Sequence, residues 1–280
     1  AAARRAPAAP AADVRWHAAD LLLPGEPERL VARVRPERLL HLAWSVEPGA
    51  FWRAPENLDW VGASLALARA FAERGGRRAV FAGTCAEYEW SGGRCRERET
   101  PLVPATLYGA AKKAVHEVVE VYAREAGVSA AWGRIFLLYG PHEPPGRLVS
   151  SVARALLLGE PAPCSRGGQL RDFLHVADVA GAFAALLESG VEGPVNVASG
   201  EAVPVGEVVA RLAEAAGRPE LVRWGELPER PGDPALLAAD VARLRGEVGW
   251  APRYTLARGL EETVAWWRSE LAGRRPGRAA

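Results

Sequence analysis

The sequence predicts an α/β protein built on a parallel sheet and followed by a smaller, mainly helical lobe. Three observations carry this expectation. Short apolar runs alternate with amphipathic helical patterns through most of the chain, the order in which parallel sheets are built. After about residue 140 the texture turns to Pro, Gly and Arg, as in loops lining a pocket, and helical patterns then dominate. The 280 residues, with hydrophobic content of 49% and charged content of 25%, suffice to bury a substantial core.

In order along the chain, RLLHLAW (38–44) reads as the first clear buried strand. The segment 56–76 repeats apolar residues at three- and four-residue spacing, and Gly75-Gly76 ends it as a helix. RAVFAGT (78–84) is a second strand, and 108–126 is a helix with its apolar face on Ala111, Val115, Val118, Val119 and Tyr122. AAWGRIFLLY (130–139) and PVNVAS (194–199) complete the strands, and helices are expected at 148–159, 176–189, 203–216, 235–246 and 256–272. The second lobe is expected over the carboxyl edge of the sheet, where such folds bind ligands.

The formal net charge of +1 carries no signal for nucleic acid or anionic membranes, and no apolar run of about eighteen residues suggests a membrane span. Three cysteines, Cys85, Cys95 and Cys164, have no metal-ligand spacing, so no metal is expected and a reduced cytoplasmic setting is the simplest reading. The chain has no methionine and opens on AAARRAPAAPAA, from which it is expected to begin partway into a domain.

Only two lysines occur, Lys112 and Lys113, so arginine supplies the other 33 of the 35 basic residues. Lys112 follows Tyr108 by four positions, and on a helix the two share a face. A phenol is a poor proton shuttle at neutral pH, and a nearby ammonium stabilises the phenolate. Chance alone gives a Tyr-x-x-x-Lys in such a chain roughly one time in thirty. The lysine economy favours function over a solvated lysine at 112, whereas Lys113 reads as the solvated one. Thr84 ends a strand, where its hydroxyl can bond a substrate oxygen while Tyr108 transfers the proton.

These residues resemble the extended short-chain dehydrogenase/reductase family, in its branch of nucleotide-sugar epimerases, dehydratases and ketoreductases. The resemblance implies a Rossmann-like doubly wound parallel sheet, N-terminally incomplete, over 1–140, with a substrate lobe over 141–280 and segments near 173–198 returning to the cofactor domain. It implies Thr84, Tyr108 and Lys112 as the catalytic set and NAD or NADP as cofactor. Asp20-Leu21 is similar to the strand end that meets the adenine, and HLAW (41–44) to the strand whose backbone, at Leu42 and Ala43, lies along the dinucleotide. RIFLLYGP (134–141), with Phe136, resembles the stretch leading from cofactor to substrate lobe. RDFLHVADVA (171–180) and RPGD (230–233) resemble the nucleotide-binding segments, so Leu148, Arg171, Arg230 and Asp233 fall to the substrate. Plainer readings stand beside these: an Arg171–Asp172 surface ion pair, a simple turn at RPGD, and core histidines at His41 and His175.

Three departures narrow the expectation. The family's Gly-x-x-Gly-x-x-Gly loop, which cradles the pyrophosphate, has no counterpart, since Gly25 is the only glycine among the first forty residues. About thirty residues of a βαβ start are therefore expected to be missing, leaving an exposed sheet edge. Arg4 and Arg5 fall where the family places a basic residue against the NADP 2′-phosphate, a disordered tail being the competing account. Thr84-Cys85-Ala86 stands where the dehydratases carry Thr-Asp-Glu, so no dehydratase activity is expected. Leu137 replaces an Asn that touches the pyrophosphate. The leading expectation is a nucleotide-sugar C4 epimerase or 4-ketoreductase, and homodimerisation through the helices at 56–76 and 108–126 accompanies it. A catalytically silent nucleotide-binding sensor or scaffold, and a truncated inactive fragment, are the alternatives.

Overall fold

The computed structural model describes residues 1–4, 13–229 and 232–273. In chain order the first half contains β1 (Ala2–Ala3), β2 (His17–Ala18), α1 (Glu26–Val34), β3 (Arg38–His41), α2 (Glu56–Glu73), β4 (Arg78–Thr84), β5 (Arg94–Cys95) and α3 (Leu107–Glu125). It continues with β6 (Ser129–Ile135), β7 (Leu137–Tyr139), α4 (Leu148–Leu158), β8 (Ala162–Cys164), β9 (Leu170–His175), α5 (Val176–Glu188) and β10 (Gly193–Val197). The last part holds β11 (Ala202–Pro204), α6 (Val205–Ala216), β12 (Val222–Trp224), β13 (Leu236–Ala239), α7 (Ala242–Gly246) and α8 (Leu256–Gly273).

The chain forms two compact units. Unit 1 comprises Ala1–Glu89, Pro101–Arg134 and Phe183–Val195; unit 2 comprises Trp90–Thr100, Ile135–Ala182 and Asn196–Ala280.

In unit 1 a four-stranded sheet runs in the order β10-β6-β4-β3, with β3 and β4 parallel in the register Arg38↔Arg78 to His41↔Phe81. All seven residues of β4 are buried, as expected of an apolar run inside a sheet covered on both faces. Its first residue, Arg78, is buried without an ion pair yet donates to Ser129 Oγ at 2.8 Å, Leu186 O at 2.6 Å and Val191 O at 2.8 Å. Those acceptors meet the two terminal nitrogens of a guanidinium whose unmet burial would be costly, while its Nε is buried without a partner among the described residues. On the sheet, Ala68 and Phe71 of α2 and Val115 and Val119 of α3 pack with Phe81 and Trp132. Burying each large side chain of this kind contributes about 1.5–3 kcal/mol. α2 ends where Gly75 takes φ +82° and Gly76 N–H returns to Phe71 O at 2.9 Å.

In unit 2 the helices α4, α6 and α8 bury Val152, Leu156, Val208, Leu212, Leu260 and Val264 in one core with Tyr139 and Phe173. Alongside them lies a sheet in the order β11-β9-β13-β5, with β7 also on β9. β9 pairs parallel with β13 and β7 and antiparallel with β11.

Strands β8, β9 and β12 form where the sequence led to no strand expectation, and three expected elements differ from their predicted form. The strand expected over 38–44 stops at His41, because Leu42 and Ala43 are exposed and Trp44 turns onto Trp60 of α2. The run 130–139 is two strands: Phe136 N–H bonds Val197 O, after which Leu137–Tyr139 pairs with Phe173–His175. The helix expected over 235–246 is strand β13 followed by the five-residue α7. Pairing with β9 and β5 satisfies the β13 backbone and overrides the helix propensity of Leu and Ala.

Candidate active site

Strand β4 delivers Thr84 in an extended conformation (φ −150°, ψ 149°) and the chain then turns through a 3-10 segment, Cys85–Glu87. Thr84 Oγ1 accepts from Ala86 N–H at 3.2 Å, and a hydroxyl that accepts still has its own proton to give. The turn is closed by Glu87, whose Oε1 accepts from Thr84 N–H at 2.8 Å and from Trp132 Nε1–H at 2.9 Å. This is a capping box, fixing the threonine backbone from both sides.

Glu87 is wholly buried, and so is its partner Arg134, whose Nε donates to Oε2 at 2.8 Å. Arg134 also donates to Tyr88 OH at 2.9 Å and to His116 Nδ1 at 3.2 Å. Because arginine can only donate, His116 Nδ1 is the acceptor and Nε2 carries the ring proton. Burial first, and the Arg134 charge second, hold His116 down to about 3, so the ring is neutral near pH 7. The turn beneath Thr84 thus rests on a buried, hydrogen-bonded ion pair.

Helix α3 begins at Thr106, whose Oγ1 accepts from Gly109 N–H at 3.2 Å. Its first turn lies against the 3-10 segment so closely that a Cβ on Gly109 would stand 2.3 Å from Ala86 O and 2.9 Å from Pro104 Cβ. A glycine is therefore required where α3 meets the turn after Thr84. Tyr108 precedes it, its N–H donating to Trp52 O at 3.1 Å. Aromatic edges surround the Tyr108 ring: Phe51 at 4.9 Å, Trp52 at 5.8 Å and Trp44 at 6.3 Å between centroids.

One helical turn on, Lys112 is buried at 4% exposure and donates from Nζ to Ala82 O at 2.8 Å. Nζ also lies 3.9 Å from the centroid of the Trp44 ring. Burial lowers the Lys112 pKa from its ordinary 10.5 to about 7, against a smaller upward pull from Glu87. Lys113 differs as the sequence suggests, being partly exposed and paired with Glu117 at 3.5 Å. His41 is a satisfied core histidine, with Nε2 2.9 Å from Ser64 Oγ and burial holding it near 3.

Unit 1 also contains Asp20, whose Oδ1 accepts from Leu22 N–H at 3.1 Å to close a turn, and Leu21, packed beside Val31 and Leu67. Leu42 and Ala43 follow β3 on the exposed surface, as does Arg4 near the amino end. Arg5 and Arg230 lie outside the described residues. In unit 2, Arg171 is buried and ion-paired with Asp233 at 2.7 Å, and its NH1 donates to Leu170 O at 2.8 Å. It has no pairing with Asp172, which is itself buried and accepts from Ser199 N–H and Oγ, Gly200 N–H and Ala239 N–H. Leu148 opens α4, Phe136 is buried between β6 and β7, and His175 stacks on Tyr254 at 4.0 Å. Among the described residues no group of His, Cys, Asp or Glu could hold a metal ion, and no helix is long and apolar enough to cross a membrane.

Sequence reasoning passes over Trp44, Glu87 and Gly109. Glu87 had a readable signal, since Thr84-x-x-Glu87 is a capping-box spacing. Trp44 and Gly109 act through neighbours distant in sequence and had none.

A buried strand ending in threonine, and beside it a helix bearing Tyr and Lys one turn apart in an α/β chain, define an extended short-chain dehydrogenase/reductase. The chain belongs to the NAD dependent epimerase/dehydratase family, whose sequence model matches residues 1–198. It is 30% identical over 249 residues to a UDP-glucose 4-epimerase of Corynebacterium glutamicum, covering 82% of this chain and 74% of that protein. It is 30% identical over 179 residues to a dTDP-glucose 4,6-dehydratase of Streptomyces niveus, covering 63% of this chain and 53% of that one. The chain thus spans about half the length of the dehydratase it matches. Its fold superposes on the UDP-glucose 4-epimerase of Thermus thermophilus solved with NAD, at TM-score 0.80 and 29% identity over 92% of this chain and 86% of that one.

The residues present fit one end of that cofactor. An ammonium has three donors, and Lys112 spends one on Ala82 O, which leaves two for vicinal hydroxyls such as those of a ribose. The sequence given contains no Gly-x-x-Gly-x-x-Gly run, so no residues are assigned to the pyrophosphate.

Proposed function

We propose that the protein is an NAD(P)-dependent nucleotide-sugar oxidoreductase, a C4 epimerase or a 4-ketoreductase, acting by hydride transfer at a sugar carbon. The observation that supports this reading is the close seating of α3, which bears Tyr108 and Lys112, on the turn that follows Thr84. A bound nicotinamide supplies the hydride acceptor and donor. Tyr108 Oη takes the proton of the sugar hydroxyl in the oxidative direction and returns it in the reductive one. Thr84 O–H donates to the sugar oxygen as charge develops on it. Lys112 holds the ribose hydroxyls through its two remaining N–H donors. The aromatic edges of Trp44, Phe51 and Trp52 exclude water around the Tyr108 ring.

Asp20, Leu21, Leu42, Ala43 and Phe136 are assigned to cofactor contact, and Leu148, Arg171, Arg230 and Asp233 to the substrate's nucleotide. Arg171 supports this assignment as a buried guanidinium fixed by Asp233, a group suited to phosphate oxygens. We also propose a homodimer through α2 and α3, supported by the exposure of Leu58, Val118 and Val121 on those helices. Light scattering of the purified protein tests that state directly.

The function is tested by incubating the protein with NAD or NADP and a UDP- or dTDP-hexose, or its 4-keto form, and following hydride transfer and C4 configuration. Turnover supports the reading. Tight binding of nucleotide sugar and cofactor in calorimetry with no hydride transfer favours a silent binding protein instead.

A further inference from the structure

The reading above gives the chemistry to Thr84, Tyr108 and Lys112 and uses Trp44 only as an apolar wall beside the Tyr108 ring, although its indole is held with more care than a packing residue needs. Trp44 Nε1–H donates to Asn57 Oδ1 at 2.8 Å, and Asn57 Nδ2 is itself fixed by Phe51 O and Ala54 O, each at 2.8 Å. The ring stacks on Trp60 at 5.8 Å with 24° between planes. Trp60 Nε1–H in turn donates to Ser45 Oγ at 3.1 Å, and Ser45 donates to Glu56 Oε1 at 2.9 Å. The start of α2 and the loop before it therefore lock one aromatic plane in place.

That plane faces the Lys112 ammonium at 3.9 Å, inside the range where a ring's negative face attracts a cation. The ammonium needs such a neighbour, because it is desolvated and its one hydrogen-bond acceptor, Ala82 O, is neutral. Of the titratable groups around it, His41 on β3 is held neutral, and Tyr108 lies one turn earlier on the same helix. Glu87, after β4, pulls the charge up, but its carboxylate is committed to Thr84 N–H, Trp132 and Arg134. Beyond Ala82 O at 2.8 Å, the group that faces the nitrogen is the indole, at 3.9 Å.

We infer that Trp44 is a positioning residue for Lys112, its indole face serving as the counter-group that keeps the buried ammonium charged and aimed. The inference rests on the proposed function only in taking Lys112 as part of the site. Trp44 touches neither a sugar nor a nicotinamide in this account; it acts through the lysine.

The chain's two lysines make the test direct, since protein labelled with carbon-13 at lysine Cε gives two resonances and Lys113→Arg assigns them. Tryptophan analogues with increasing fluorination, placed at position 44, weaken the ring's negative face while keeping its shape. The Lys112 titration midpoint is expected to fall with each fluorine, by about one pH unit across the series, while the Lys113 midpoint holds still. Trp44→Phe, a smaller aromatic, is expected to give an intermediate midpoint. A Lys112 midpoint that stays constant along the series, or rises as water replaces the ring, overturns the inference. Because the titration needs no turnover, an inactive protein would count against the proposed function and leave this result readable.

Discussion

The Cα of Gly109 lies against the carbonyl of Ala86 so closely that a single methyl group at 109 would come within 2.3 Å of that oxygen. Backbone cannot yield there as a flexible side chain would. Gly109→Ala is expected to push α3 off the turn after Thr84, costing about 1–3 kcal/mol of stability. The same displacement should lower kcat by about a hundredfold, as ångström-scale misplacement of reacting groups does. Urea midpoints and single-turnover rates check both; unchanged values would mean that the close approach has no consequence.

Glu87→Gln removes the charge that answers Arg134 in a wholly buried pair. The expected loss is about 3–5 kcal/mol, since an unanswered buried guanidinium remains. Replacing both by apolar residues of similar size, Glu87→Leu with Arg134→Met, should cost less than Glu87→Gln alone. Equilibrium urea unfolding of the three proteins decides the order.

Tyr108→Phe keeps the ring among Phe51, Trp52 and Trp44 and takes away only its oxygen. Stability should change little, whereas turnover with a nucleotide sugar should fall by about 10²–10⁴-fold, the usual worth of a positioned proton acceptor. Retained activity in the Tyr108→Phe protein would refute the role given to that oxygen.

Acid should weaken the fold through two buried neutral histidines, His41 and His116, each lowered from 6.5 to about 3. Their unfolded forms take up protons below about 6.5 and their native forms do not, so stability is fully present above that value and is lost as pH falls toward 3. Between pH 6.5 and 5 the loss is about 1–2 kcal/mol for each. Urea midpoints at pH 7 and pH 5 test this, and a His116→Gln protein should show a shallower dependence.

No water should be lost from a nucleotide hexose. Cys85 and Ala86 occupy the 3-10 turn where the resemblance to the dehydratases implies a carboxylate pair; Ala86 has no titratable group, and Cys85 alone is a poor stand-in for both the acid and the base of an elimination. Mass spectrometry of the sugar product after long incubation with cofactor is the check.

Strand β4 and helix α3 were legible because each declares itself locally, the one as an unbroken apolar run and the other by its helical spacing. Thr84, Tyr108 and Lys112 shared that advantage, since a strand end and an i, i+4 pair are read from neighbours. The segment 235–246 was not legible, because an Ala- and Leu-rich run carries helix propensity and only the pairing partners in β9 and β5 make part of it a strand. Trp44 and Gly109 were hidden for the same physical cause: the groups that give them meaning, Lys112 and Ala86, are far away along the chain.

The stacked pair Trp44–Trp60 has a consequence of another kind. Two indoles 5.8 Å apart and 24° from parallel couple their electronic transitions, and one of them faces an ammonium whose pKa burial lowers to about 7. The site therefore carries its own chromophore: its near-ultraviolet ellipticity and emission should shift as the lysine gains or loses its proton, giving an optical record of the charge with no label added.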